Sequence, residues 1–258
     1  MVKWPKMQSY IKRYLAEYKK DKEVIWSEED EYVLVGAINL FEATGEKYLK
    51  SFVLSYIDNY VTTTGEVQNA NIAIGRILFF AYEQTQEEKY KKAIQQLEVQ
   101  LKEQPWRKGL FSTLSFYTMC ENKLGKKQAY KDIIEQFQEI KKEIEKGDTR
   151  YSSIYFLLGI IDTLEEMSEQ IYEYYHELKT IFRNILKDEL PYNIEVKEPF
   201  VVAIIILKAC RMKVLLAEKY KKIGIDILEG VTQIELEHLN PKRSGSLMIA
   251  YAQILLME

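Results

Sequence analysis

Residues 44–59 read "TGEKYLKSFVLSYIDN", and this stretch contains the unit from which the whole chain is built. A short break at Thr44–Gly45 is followed by charged residues, then by Tyr48, and then by an amphipathic run. The apolar residues Ile57, Tyr60 and Val61 continue this run at helical spacing. A recurrence at i, i+3 and i+4 predicts a helix with one buried face.

The same order of break, charge, tyrosine and amphipathic run recurs along the chain. It is repeated at 86–101, 125–140, 168–183 and 217–231. With the tyrosine in "MQSYIKRYL", the repeated positions are Tyr10, Tyr48, Tyr90, Tyr130, Tyr172 and Tyr220. A period of about forty residues is typical of helical repeats. The pattern predicts an all-α fold of six units with two helices each, about twelve helices in total.

Two arrangements accommodate six helical hairpins. They can close into an (α/α)6 barrel, a toroid in which one helix of each pair lines the inside and the other lies outside. HEAT-like open arrays, with units of about 40–47 residues, are the competing arrangement. We expect the closed ring, formed by residues 1–258 as a single domain.

Composition narrows the functional classes. The 258 residues are 47% hydrophobic, and 36 Lys and Arg nearly balance 39 Asp and Glu. A nucleic-acid partner is not expected, because such proteins present a basic face. No apolar leader opens the sequence, and no run is long enough to span a membrane. Cys120 and Cys210 lie in apolar helical patterns and are expected to be buried thiols of a cytoplasmic protein.

No spacing of Cys and His suits zinc, and no glycine-rich loop suits a phosphate. We therefore expect neither a metal nor a cofactor. His176 is expected on a helix face, without a catalytic role.

Residues 26–61 carry a resemblance to a known family. "WSEEDEYVLVGAINLFEATGEKYLKSFVLSYIDNYV" resembles the first hairpins of the unsaturated uronyl hydrolases of glycoside hydrolase families 88 and 105, and the closer resemblance is to family 105. The family pattern W-x-Y-E-D-G-x-x-L-x-G-A is matched at Trp26, Glu29, Asp30, Leu34, Gly36 and Ala37. Its glycine is replaced by Glu31.

Further stretches resemble the family in the same order. They are "NIAIGRILFFAYEQTQEEKYKKA", "FYTMCENKLGKKQAYKDIIEQF", "GIIDTLEEMSEQIYEYYHELKTIFRNIL" and "GSLMIAYAQILLME". The resemblance implies an (α/α)6 barrel with a cleft at one end. It also implies an oligosaccharide ligand of the unsaturated uronyl type, whose double bond is hydrated by a carboxylic acid and a water molecule.

Both acid positions of the family are altered here. The W-x-D-G-L motif falls on "WRKGL", so that the general acid becomes Lys108, and the second aspartate falls on Ala70 beside Asn71. Lysine cannot reproduce the charge change of a carboxylic acid, and alanine cannot orient water. The loops that bear the family's histidines are shortened.

The resemblance implies a set of saccharide-binding positions. They are Trp26, Asp30, Asn71, Trp106, Arg107, Lys108, Arg150 and Tyr155. Each also has a structural reading. The aromatic residues can belong to the core, and Arg107 and Lys108 can form a solvated helix start. The acidic run at 28–31 can consist of first-turn carboxylates favoured by the helix dipole.

Three functions remain open from the sequence. The chain is a family 105 hydrolase with altered residues, a catalytically inactive relative that binds a saccharide or a protein, or a helical scaffold. The altered acids favour an inactive or divergent protein. Monomer and oligomer are both compatible with the sequence.

Overall fold

The structure, a computed structural model, describes residues 4–18, 26–103, 110–125, 129–148, 152–167, 171–193, 198–235 and 239–258. Within these ranges the chain forms twelve α-helices and no strand. A single antiparallel bridge joins Val61 to Val67. The predicted all-α fold with about twelve helices is confirmed.

The helices follow one another with short connections. Their bounds are α1 Trp4–Glu17, α2 Glu28–Thr44, α3 Lys47–Ile57, α4 Gly75–Thr85, α5 Glu88–Glu103, α6 Leu110–Lys123, α7 Tyr130–Glu145, α8 Ser153–Glu166, α9 Tyr172–Asn193, α10 Pro199–Arg211, α11 Ala217–Glu235 and α12 Pro241–Leu255. A 3-10 turn, Ile72–Ile74, precedes α4.

The repeated tyrosines all lie in odd-numbered helices, at or near the first turn from α3 onward. Odd- and even-numbered helices are buried differently. Along α7 a single stripe that includes Ile133 and Phe137 is buried, whereas every residue from Phe200 to Cys210 of α10 is buried. A helix that is buried all round belongs to the interior, and a helix with one buried stripe covers it. This pattern agrees with the prediction that each helical hairpin pairs an inner helix with an outer one.

The chain divides into two compact units. The first unit consists of Met1–Gln96 and Ile225–Glu258, and the second of Leu97–Gly224. In the second unit α8 packs against α6, α9 and α10. The assignment of residues 1–258 to a single domain stays a prediction.

In the first unit the last helix lies against the second. Among the described residues, the contact between α2 and α12 is the most extensive between two helices, and it joins the first and the last hairpin. In an open array each repeat contacts only its neighbours. The contact therefore favours the closed six-hairpin arrangement over a HEAT-like one.

Both cysteines are buried thiols outside any disulfide, as predicted. Burial raises the pKa of the Cys210 thiol to about 11.

Within the described ranges, no helix is both long enough and apolar enough to cross a membrane.

Candidate functional site

The start of α2 is fixed by a capping box. Ser27 is the N-cap, and its hydroxyl accepts a hydrogen bond from the Asp30 backbone N–H. The Asp30 carboxylate in turn accepts from the Ser27 backbone N–H at 2.8 Å. This reciprocal arrangement satisfies two backbone donors at the helix start. It also fixes the chain immediately after Trp26.

The Asp30 carboxylate is completely enclosed by protein donors. Oδ1 accepts hydrogen bonds from the hydroxyls of Tyr18, at 2.8 Å, and Tyr56. Oδ2 accepts from the Ser27 backbone N–H and, at 2.7 Å, from the Ser27 hydroxyl. Asp30 is 1% exposed. One carboxylate thus joins α1, the start of α2 and α3.

These donors keep Asp30 ionised. Burial by itself would raise the pKa of the Asp30 carboxyl, but hydrogen bonds from Tyr56, Ser27 and Tyr18 outweigh burial and hold its pKa below the usual value. Burial and the bond to Asp30 raise the pKa of the Tyr56 hydroxyl. The pair therefore consists of an anionic acceptor and a neutral phenol donor.

A series of aromatic rings runs from Asp30 to Trp26. Tyr18 is stacked on Tyr56 with ring centroids 5.9 Å apart, and Tyr56 is stacked on Tyr60 at 6.0 Å. Tyr60 meets Trp26 edge to face at 5.5 Å. Trp26 is 7% exposed, and its indole N–H is buried without a hydrogen-bond partner among the described residues.

The structure places Trp26 beside segment 69–71, on which the family's second aspartate is predicted to fall. The Trp26 backbone N–H donates to the Asn69 carbonyl at 2.9 Å, and Asn69 has a positive φ of 54°. Ala70, the next residue, is half-buried. The exposed Asn71 side chain accepts from the Ala73 backbone N–H at 3.0 Å and so caps the 3-10 turn. The backbone of Trp26 thus lies beside the segment that contains Ala70 and Asn71, and their role as one site stays a prediction.

Tyr155 belongs to the second unit. It lies in the first turn of α8, it is half-buried, and its hydroxyl oxygen is shielded from solvent. The predicted site residues Trp106, Arg107, Lys108 and Arg150 lie outside the described residues, and their roles stay predictions.

A second polar cluster, in the second unit, was not predicted. Lys208 of α10 is 1% exposed, and its ammonium lies 2.5 Å from the Asp162 carboxylate of α8. Glu165 forms ion pairs with both Lys208 and Arg211. Burial by itself would raise the pKa of Glu165, but the charges of Lys208 and Arg211 hold this pKa below its usual value. The available signal was a lysine inside the apolar run "VVAIIILKAC".

The tyrosines around Asp30 were also missed. Tyr10, Tyr14 and Tyr18 are spaced by four residues, as are Tyr56 and Tyr60. In a helix this spacing places residues on one face, but α3 ends at Ile57, so Tyr60 lies in the turn that follows and the helical run expected through Val61 is wrong beyond Ile57. The spacing could have indicated an aromatic stripe, but the carboxylate at its centre lies in a different helix.

The described residues include no group of three or more His, Cys, Asp or Glu placed to hold a metal ion. His176 is exposed on α9 and is stacked on the exposed Tyr172, as expected for a helix face.

We expect the variant Asp30→Asn to be less stable than the unmodified protein by about 1.5–3 kcal/mol at pH 7, because hydrogen bonds to a charged acceptor contribute this much. Asp30 has a lowered pKa in the folded state, so its stabilisation is present above the unfolded pKa of about 3.9 and is lost as pH falls through the folded value. Urea unfolding at pH 7 and at pH 3.5 measures both effects.

The control for this prediction is Asp58→Asn. Like Asp30, Asp58 accepts a hydrogen bond from a tyrosine hydroxyl, that of Tyr90. It also pairs with Lys89, but its side chain is 49% exposed. If Asp30→Asn lowers the free energy of unfolding by no more than this control does, the prediction is contradicted.

The chain is similar to known proteins in one family match and in two solved structures. The model of Glycosyl Hydrolase Family 88 matches residues 5–151, which is more than half of the chain. A glycoside hydrolase of family 105 from C. acetobutylicum ATCC 824 has a similar structure, with a TM-score of 0.79 and 15% identity over 95% of this chain and 98% of that chain. A family 88 glycosyl hydrolase from Bacteroides vulgatus has a TM-score of 0.74 and 13% identity over 97% of this chain and 98% of that one. The search of curated proteins gives no match.

The two structural similarities extend over nearly the whole chain. They confirm the predicted fold class, since at this identity a structural similarity establishes the fold and not the function. The family match covers the start of α2, the segment 69–71 and α3–α7.

Proposed function

Because the chain belongs to glycosyl hydrolase family 88, we propose that it is a saccharide-binding protein that has lost the usual hydration chemistry of unsaturated uronyl hydrolases. The site at Trp26 and 69–71 binds the saccharide in this proposal, and roles for Trp106 and Lys108 stay predictions from the family resemblance. The nature of the proposed ligand follows from the family, and the proposed inactivity follows from the residues at the two acid positions.

One observation carries the proposal. Ala70, on which the resemblance predicts the family's second acid to fall, directly follows Asn69, which is hydrogen-bonded to the Trp26 backbone. In this proposal the segment beside Trp26 therefore carries a methyl group in place of a carboxylate. A methyl group can neither donate a proton nor orient an attacking water.

Asp30 does not replace the missing acid. Protonation of a sugar double bond needs a carboxylic acid whose pKa is raised towards the working pH and which reaches the substrate. Asp30 has a lowered pKa, is 1% exposed and directs both oxygens at protein donors. It therefore remains an enclosed carboxylate, which neither donates a proton nor contacts a sugar.

We expect the unmodified protein to bind an unsaturated uronyl disaccharide without consuming it. Calorimetry measures the binding, and absorbance of the C4–C5 double bond measures turnover across a panel of such disaccharides. The double variant Ala70→Asp with Lys108→Asp is expected to gain turnover, because it restores both carboxyl groups to the frame.

Thr63→Asp provides the matched control, since it adds a carboxylate at an exposed position of the neighbouring loop. Turnover by the unmodified protein would show that the chain is an active hydrolase with a different acid. Absence of any disaccharide binding would show that the family's ligand is not the ligand of this chain.

A further inference from the structure

Asp30 is connected to Trp26 by two separate routes, one through the backbone and one through aromatic rings. The backbone route is the capping box: Oδ2 of Asp30 holds both the N–H and the hydroxyl of Ser27, the residue bonded to Trp26. Since these contacts measure 2.8 and 2.7 Å, they fix the position of the peptide that follows the tryptophan.

The aromatic route begins at Oδ1. The hydroxyl of Tyr56 donates to this oxygen, which fixes the Tyr56 ring. The Tyr56 ring is stacked on Tyr60, and the Tyr60 ring meets the indole of Trp26 edge to face. Both routes thus end at Trp26, the first at its backbone and the second at its indole ring.

Trp26 has the features of a residue held for a ligand. Its indole N–H is buried and has no partner among the described residues, and an unsatisfied buried donor is costly. Its backbone N–H binds Asn69, beside Ala70. In the proposed function a saccharide hydroxyl or carboxylate accepts from the indole N–H and so removes this cost.

We propose that Asp30 is a positioning residue, which holds the Trp26 indole in the orientation that receives the saccharide and does not itself contact the ligand. This inference rests on the proposed function. It changes the predicted role of Asp30 from ligand contact to support of Trp26, because a carboxylate that already accepts four hydrogen bonds from protein has no oxygen available to a sugar.

Two variants of the same site test this role. Tyr18→Phe and Tyr56→Phe each remove one hydroxyl that donates to Oδ1 of Asp30, so that the two are expected to lose similar stability. Only Tyr56 is stacked on Tyr60, the residue that contacts Trp26. A positioning role therefore predicts different effects at Trp26, and a merely structural role predicts equal effects.

The measurement uses the full chain labelled with 5-fluorotryptophan, and Trp26→Phe assigns the fluorine resonance of Trp26. We expect Tyr56→Phe to shift this resonance and to raise the Kd for an unsaturated uronyl disaccharide about tenfold, because the indole is then less often in the orientation that binds. Tyr18→Phe is expected to leave the resonance in place and the Kd within about threefold.

The outcomes separate this inference from the proposed function. Equal shifts of the Trp26 resonance in the two variants, or no shift in Tyr56→Phe, would overturn the positioning role. If the unmodified protein binds no disaccharide while Tyr56→Phe still shifts the resonance, the proposed function is wrong and the support of Trp26 by Asp30 stands.

Discussion

The variant Lys208→Met is expected to be less stable than the unmodified protein by about 3–5 kcal/mol at pH 7. Lys208 is 1% exposed and pairs with Asp162 and Glu165 between α8 and α10. Methionine retains much of the apolar stem but removes the charge that the two carboxylates face. Removal of one partner of a buried ion pair is costly because the other charge remains desolvated. Denaturant unfolding followed by circular dichroism measures this loss.

The effect is expected to depend on pH in a defined direction. The pKa of Glu165 is lowered in the folded state, so its contribution is present above the unfolded pKa of about 4.3 and is lost as pH falls through the folded value. In Lys208→Met the carboxylates lose a nearby cation and take up protons at higher pH. The difference in stability between the two proteins is therefore largest near neutral pH and decreases as the pH falls toward and through the unfolded carboxyl pKa of about 4.3.

Lys141→Met is the matched control for this prediction. Lys141 pairs with Glu145 at 3.0 Å on α7, where the two side chains are 33% and 59% exposed. Exposed pairs of this kind contribute about 0–1 kcal/mol. A loss in Lys208→Met that is no greater than in this control would show that the buried cluster does not stabilise the fold.

Gly245→Ala is expected to destabilise the protein by about 3 kcal/mol, the upper end of the usual range for overpacking. A Cβ at Gly245 would lie 2.4 Å from the carbonyl carbon of Tyr32 and 2.6 Å from the Val33 nitrogen. These are backbone atoms of α2, which cannot rotate away. At Gly36, on the other side of the same contact, an added Cβ would lie 2.8 Å from Met248 Cβ. The separation of α2 and α12 therefore depends on these glycines.

The control for this prediction is a glycine whose replacement is expected to raise stability rather than lower it. Gly230 is exposed in α11, and an added Cβ there would meet nothing within 4 Å. Gly230→Ala is expected to stabilise the protein by about 0.5–1 kcal/mol, because alanine has the higher helix propensity. Thermal melts compare the two variants, with a shift of about 2–4 °C for each kcal/mol. Equal melting temperatures for the two variants would contradict the account of the α2–α12 contact.

The helices could be predicted because their signals are local. Apolar residues three and four positions apart, such as Ile133, Ile134 and Phe137, lie on one face whatever the rest of the fold does. The repeated tyrosines marked the odd-numbered helices for the same reason. The closed arrangement of the hairpins is not a local property, and its prediction depended on family resemblance.

The candidate site could be predicted only in part. The resemblance placed Trp26 and Ala70 at equivalent positions of known proteins, and the structure joins the two segments through the bond from Trp26 to Asn69. The enclosure of Asp30 was not predicted, because its donors Tyr18 and Tyr56 lie 12 and 26 residues away along the chain. Periodicity assigns a residue to a helix face but does not identify the groups on the opposing helix.

The sequence by itself determined most of the segments that become helices and the faces they bury, and it is the source of the prediction that the family's acid positions have changed. These properties depend on residue type and on spacing within a single turn. Only the tertiary structure decided that Asp30 is enclosed by two tyrosines, that Lys208 is paired with two carboxylates and that Gly245 faces the backbone of α2. The physical reason is that burial, charge pairing and close approach are properties of two surfaces in contact, and each sequence segment encodes only one of them.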